Sequence, residues 1–461
     1  MPVASAAVLK IYDTAQRGIV EFVPRNEGAV SMYVCGVTPY DIAHLGHGRT
    51  AVVFDIMRRH LAVSGYAVTF VTNVTDIEDK IIARAADKGT TESELAQVFQ
   101  DEYWQQMDRL GVQRPDELPR ATEFVPQMQA LIAELIAAGR AYVIEGSGVY
   151  FAVEALAEYG KLSHRSLAQL LESAGSRVAV DDDKRSPVDF ALWKAAKPGE
   201  PQWDSPWGPG RPGWHIECSA MALEILGEGF DLHGGGDDLV FPHHENEIAQ
   251  AEGAGHPFAR YWLHSAMVMV GSEKMSKSAG NFPSLASAID AHGAATFRWV
   301  VARTHYRRQM EITDDSLRAA GAEIEGFNAL ARRAHRAGII VDASPDISAF
   351  LSVMNNDFDT PNAVAIVHGW RNAGNSALDE GRSADAGIAL AQMRAALDVL
   401  GIAVDDGSRD EGDAEIDALV AARTVARGER NFAESDRIRD ELAERGITLE
   451  DTADGTVWRR S

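Results

Sequence analysis

Cysteine is nearly absent from this chain. Two occur in 461 residues, Cys35 and Cys218, too few for a disulfide scaffold and in keeping with a reducing cytoplasm. Long apolar runs are also missing. No stretch approaches the roughly 20 apolar residues that a membrane span needs. Met1 to Lys10 carries no basic patch ahead of a long apolar core, so no signal peptide is expected. No long internal repeat and no low-complexity tract occurs, which sets repeat architectures aside. Basic residues are in deficit: 44 Lys and Arg stand against 68 Asp and Glu, a net charge of −24. Taken alone, that balance argues against nucleic acid as a partner. A local basic face outweighs the total, however. Arg307 and Arg308 form one cluster, and Arg332, Arg333 and Arg336 another, although both also read as solvated helix faces.

What is present suffices for about two to four domains, with hydrophobic residues at 46%. Residues 30–38 form a β-rich run ending in small residues. Pro39 and Gly46 break it, Thr50 to Leu61 has helical apolar spacing, and Ala67 to Val71 is again strand-like. This order predicts a βαβ unit in a parallel sheet with nucleotide at its carboxyl edge. The reading divides the chain into a Rossmann-type α/β catalytic domain (1–120), a connective insertion (121–210) and the second catalytic half (211–270). A loop and stem-contact region (271–315), a helix bundle (316–403) and a linker with a small C-terminal domain (404–461) follow. The sheet is expected to resume around Trp214. The tail reads as two helices, near 414–427 and 432–445, and a hairpin.

Two motifs carry chemistry. His44-Leu45-Gly46-His47 follows the first strand, and Lys274-Met275-Ser276-Lys277-Ser278 lies far downstream. At a helix start, backbone N–H groups face an anion, and Gly46 admits a nucleotide closely. Two imidazoles can donate to phosphoryl oxygens while Lys274 and Lys277 neutralise a triphosphate. Mg²⁺ is expected with ATP. The pair resembles the HIGH and KMSKS signatures of class I aminoacyl-tRNA synthetases.

A metal set is also readable. Cys35, Cys218 in Trp214-His215-Ile216-Glu217-Cys218, and His243 with Glu247 in Phe241-Pro242-His243-His244-Glu245-Asn246-Glu247 supply two thiolates, an imidazole and a carboxylate. Pro242 suits a first helical turn, and residues four apart share a face. Spacing leaves His244 and Glu245 open as ligands. It also leaves open that the cysteines are buried filler or a disulfide. His233, before three glycines, reads as a substrate-pocket residue.

Longer stretches carry a family resemblance: Tyr33 to Tyr40, His44 to Arg49, Asn73 to Lys80, Gly213 to Ser219, Phe241 to Glu247 and Lys274 to Ser278. They resemble the cysteinyl-tRNA synthetases along nearly the full length. Leu45 stands where the general motif has isoleucine, and Ala279 where a larger residue is usual; neither removes a functional group. The resemblance implies one zinc ion per chain on Cys35, Cys218, His243 and Glu247, binding the thiolate of substrate L-cysteine. It places the ATP-contacting lysine at Lys277 and the substrate pocket at Gly36, Thr38, Thr75, Trp214, His215 and His233. ATP, tRNA(Cys) and a monomeric state in the cytoplasm are implied with it. A rival expectation is a cysteine ligase acting on an amino-sugar acceptor in mycothiol biosynthesis. A third is an RNA-binding relative with a dead site, against which the intact histidines and lysines argue. The tail separates the first two: 431–440 and 455–460 resemble an anticodon-binding end, where Trp458, Arg459 and Arg460 offer stacking and phosphate contacts.

Overall fold

The strand β1, Ala29–Val37, is apolar on both faces and almost wholly buried, the pattern of a central strand in a parallel sheet. The computed structural model describes residues 8–174, 184–270, 273–274, 284–341, 344–407, 413–428, 431–452 and 455–460. After β1 the chain forms the helix α1 (Leu45–Val63) and the strand β2 (Ala67–Val74). The sheet then resumes with α2 (Trp214–Leu226), β3 (Leu232–Gly236), α3 (Glu245–Ala254) and β4 (Tyr261–Ser265). Strand order is β4-β3-β1-β2, and every pairing is parallel. The chain leaves β1 toward β2 and returns to β3 on the opposite side. The carboxyl ends of β1 and β3 therefore form a topological switch point, where α/β sheets hold their ligands.

Trp214, expected near a resuming strand, instead opens α2, with Gly213 as its N-cap. Its apolar run is a buried helix, and the sheet resumes only at Leu232. The segment between β2 and α2 holds helices Asp79–Lys88, Glu92–Arg109 and Val125–Ala137. An antiparallel sheet follows, of Ala141–Ile144, Gly148–Phe151, Phe190–Ala195 and Gly210–Pro212. A hairpin near the N-terminus, Lys10–Asp13 with Gly18–Glu21, was not expected. The acidic run 181–183 lies outside the described residues.

Helices Asp314–Arg336, Ser348–Met354, Thr360–Asp379 and Ser383–Val399 follow the catalytic sheet. Two compact units result. The first is Met1–Phe327 with Ile340–Val404, the second Asn328–Ile339 with Asp405–Ser461. Within the first, Arg298 is buried, donates to the carbonyls of Leu110 and Leu400 and pairs with Asp55 on α1. In the second, helices Asp413–Gly428 and Phe432–Glu444 and the hairpin Ile447–Thr452/Gly455–Arg460 enclose Ile416, Val420, Ile438, Leu442 and Ile447. Trp458 leans on that core. Among the described residues no helix is long and apolar enough to cross a membrane.

The β1–β2 register slips between Val34 and Val37. There the Gly36 N–H donates to Asn73 Oδ1 at 2.8 Å, and a Cβ on Gly36 would stand 1.7 Å from the Asn73 carbonyl oxygen. The neighbour is backbone and cannot swing aside. Gly36→Ala is expected to cost about 3 kcal/mol or more, read as a lowered urea midpoint. An unchanged midpoint would show that the two strands are not in this contact.

Candidate functional site

At the carboxyl edge the helix α1 begins with an imidazole capping box. His44 is the N-cap, with extended backbone (φ −112°, ψ 172°). Its Nδ1 accepts the His47 N–H at 3.3 Å, and His47 Nδ1 accepts the His44 N–H at 3.2 Å. The rings stack at 3.7 Å with 15° between planes. Because each Nδ1 is an acceptor, each neutral ring carries its proton on Nε2. Gly46 suits this stacking, since a Cβ there would crowd the His44 ring at 3.0 Å. Both histidines line a cleft of about 660 Å³ with Thr38, Gly46, Trp214, Asp238 and Met267. Glu273–Lys274 pairs antiparallel with Val268–Val270, placing the Lys274 backbone opposite Met269. Met275 to Ser278, and so Lys277, lie outside the described residues.

The second half of the site sits at the end of β1. Cys35 comes from β1, Cys218 from α2, His243 from the helical turn just before α3 and Glu247 from the first turn of α3, and their donor atoms all lie within 4.8 Å of one another. Cys35 Sγ is 3.7 Å from Cys218 Sγ and 3.4 Å from Glu247 Oε1, and His243 Nε2 is 3.1 Å from Glu247 Oε1. Both cysteines are free thiols. Phe241 is extended (φ −142°, ψ 130°), so the helical run starts beyond it, and the i,i+4 relation of His243 and Glu247 survives. Cys35 also belongs to a second converging set with His233, His244 and Glu247. Distances separate the two. His233 Nε2 is 2.8 Å from Glu247 Oε2, a hydrogen-bond length and shorter than the roughly 3.3 Å edge of two atoms sharing one ion. His244 Nε2 is 3.3 Å from Cys35 Sγ, suited to donation onto sulfur.

Around these donors lies a shell of imidazoles. His243 Nδ1 meets His215 Nδ1 at 2.8 Å, and His244 Nδ1 meets His264 Nε2 at 2.8 Å. His264 Nδ1 in turn meets Thr14 Oγ1 at 2.8 Å. Such contacts fix ring tautomers. Burial pushes His215 and His264 down to about 3 and His243 and His244 well below the ordinary value. Burial also raises both thiols, Cys35 strongly. Burial thus favours the uncharged form of both thiols, and a divalent cation would reverse that for the sulfurs.

The other expected pocket residues divide. Gly36, Thr38 and Trp214 line the cleft, and the Trp214 ring stacks on His243 at 4.3 Å. Thr75 is buried and accepts from Asn73 Nδ2 at 3.3 Å. His215 and His233 are held against His243 and Glu247 respectively. The glycines after His233 serve packing: a Cβ on Gly234 would strike the Phe54 ring at 2.4 Å, and one on Gly235 would meet His244 at 3.0 Å. His264 and Asp238 were not singled out by sequence, and no spacing signal marks them. Neither carboxylate oxygen of buried Glu217 makes a completed hydrogen bond among the described residues, Thr75 being the hydroxyl that approaches it, and burial raises its carboxyl well above the usual range.

This fold has counterparts among solved structures. A Mycobacterium tuberculosis methionyl-tRNA synthetase in complex with methionyl-adenylate superposes with a TM-score of 0.59 at 16% identity, over 81% of this chain and 89% of that one. An Agrobacterium radiobacter leucyl synthetase complex gives 0.56 at 11%, over 82% and 83%. The architecture is thus that of a class I aminoacyl-tRNA synthetase, and the tRNA synthetases class I (C) catalytic domain matches residues 21–322. A DALR domain matches 349–404, and a cysteinyl-tRNA ligase anticodon binding domain matches 409–459. Cysteine–tRNA ligases of Alkalilimnicola ehrlichii and Symbiobacterium thermophilum are 48% and 45% identical, each over 98% of this chain and all of the relative. The chain belongs to the cysteine–tRNA ligase family.

Proposed function

We propose that the chain activates L-cysteine with ATP and transfers it to tRNA(Cys), with zinc held by Cys35, Cys218, His243 and Glu247. The observation that carries the metal assignment is a set of three separations. A tetrahedral zinc with sulfur at about 2.3 Å and nitrogen or oxygen at about 2.0 Å has edges of about 3.8 Å (S–S), 3.5 Å (S–O) and 3.3 Å (N–O). The corresponding distances here are 3.7, 3.4 and 3.1 Å. When bound, zinc would supply a soft acceptor for the substrate sulfur, which a serine hydroxyl, still protonated, does not match. Shape alone discriminates poorly between two such similar side chains.

In the first step a cysteine carboxylate oxygen attacks the α-phosphorus of Mg²⁺-bound ATP, and pyrophosphate leaves. His44 and His47 direct Nε2–H donors at the phosphoryl oxygens, where charge builds in the transition state. Lys274 and Lys277 neutralise the triphosphate. In the second step a ribose hydroxyl of the tRNA terminal adenosine attacks the acyl carbon and AMP departs. Trp214, packed on His243, closes one wall of the amino-acid pocket. Holding carboxylate and phosphate in one cleft supplies much of the rate.

The amino-sugar alternative is disfavoured by the anticodon-binding match at 409–459 and by relatives matched over their whole length. A direct comparison of acceptors tests this. Cysteine, ATP and enzyme are expected to charge tRNA(Cys) and to leave an amino sugar unmodified; the reverse would overturn the reading. Removing residues 405–461 is expected to spare cysteine-dependent ATP–pyrophosphate exchange. It should weaken tRNA charging at least about tenfold, the effect of some 1.4 kcal/mol of lost binding. Normal charging by the shortened chain would refute the role given to the tail.

A further inference from the structure

Tyr33 lies two residues before Cys35 on β1, so the two side chains share one face of the sheet. The Tyr33 ring is fully buried, in the cluster that also contains Cys218. It packs against His233 and Phe230 at 5.3 and 6.5 Å. Its hydroxyl makes no completed hydrogen bond among the described residues. The side chain it approaches as a donor is Cys218.

A buried phenol without an acceptor is expensive, and an O–H removed from water is retained only where something takes the bond. A neutral thiol takes it poorly, being a weak acceptor. A metal-bound thiolate takes it well, because hydrogen bonds to charged acceptors are roughly twice as strong as neutral ones. The buried hydroxyl beside Cys218 is therefore placed where a metal-bound thiolate would take its bond. The other sulfur has its own donor, His244 Nε2 at 3.3 Å from Cys35 Sγ, so each thiolate would have one donor.

We infer that Tyr33 is a positioning residue of the metal centre, whose O–H donates to the Cys218 thiolate. The inference rests on the proposed ligand set. Donation from Tyr33 draws charge from that sulfur. It fixes the direction of the Cys218 side chain and leaves a bound ion more receptive to a further sulfur donor.

The test is Tyr33→Phe in the full chain, with cobalt(II) and zinc as probes. Three results are expected. Metal affinity under chelator competition falls about tenfold or more, the range for a lost outer-shell hydrogen bond. The thiolate-to-cobalt charge-transfer band moves from its wild-type position. The metal-free variant unfolds at the same or a higher denaturant concentration than metal-free wild type, because an unsatisfied buried O–H has been removed. A purely structural tyrosine would give the opposite sign in that last comparison and no spectral change. Wild-type protein that takes up cobalt while Tyr33→Phe matches it in affinity and spectrum overturns the role of Tyr33 alone. Wild-type protein that shows no thiolate-to-cobalt band overturns the ligand set, and this inference with it.

Discussion

Replacing Cys218 with serine is expected to empty the metal site while leaving the chain folded. Cys218 is 1% exposed, and the substitution swaps one atom without opening a cavity, so the stability cost is that of a buried hydroxyl, about 1–3 kcal/mol. The donor change is far larger. A thiolate becomes a hydroxyl that stays protonated near neutral pH and bonds zinc weakly. Metal affinity should fall by more than the roughly 100-fold seen for outer-shell changes. Elemental analysis after dialysis against a chelator should read one zinc per wild-type chain and almost none in the variant. Cysteine-dependent ATP–pyrophosphate exchange should fall with it, and preference for cysteine over serine should narrow. A Cys218→Ser protein that keeps both metal and exchange would remove the basis of the proposed substrate choice.

The second large effect concerns the stacked imidazoles at the start of α1. His44 does two jobs, capping the helix through Nδ1 and, as proposed, presenting Nε2–H to the triphosphate. His44→Asn separates them, because asparagine is among the best N-caps but cannot place a donor at the same reach. The exchange rate at saturating ATP and cysteine should drop about 10²- to 10³-fold, the range for one lost transition-state donor. The thermal midpoint should hardly move. His44→Ala should add a cap loss of about 1 kcal/mol to the same rate defect. If His44→Asn keeps its rate within about twofold of wild type, the imidazole serves the helix alone.

How much of this was legible beforehand follows from the range of each signal. The βαβ start was readable because β1 is a continuous apolar run and α1 carries its periodicity locally. The tail was readable for the same reason, down to its two helices and hairpin. Trp214 was placed near a strand because a helix buried on most sides looks like any other apolar run. The four donors could be proposed from residue type, but their convergence depends on β1, α2 and α3 meeting, which no local pattern encodes. The imidazole shell was less accessible still. His215, His244 and His264 act through partners 28, 209 and 20 positions away, and Tyr33, though it opens one of the resembling stretches, carries no spacing signal of what its hydroxyl meets. The glycine run after His233 signals close approach without naming what approaches. Here it is Phe54 and His244.

The span of the donor set has a consequence for biogenesis. Cys35 and Glu247 are 212 positions apart, and β2, the inserted helices and the antiparallel sheet are made between them. On the ribosome a nascent chain carries Cys35 alone until Cys218 follows 183 positions later, and the proposed four-donor set is complete only once Glu247 has emerged. On the proposed ligand set, loading with metal is therefore a late event in synthesis, completed only with the last donor.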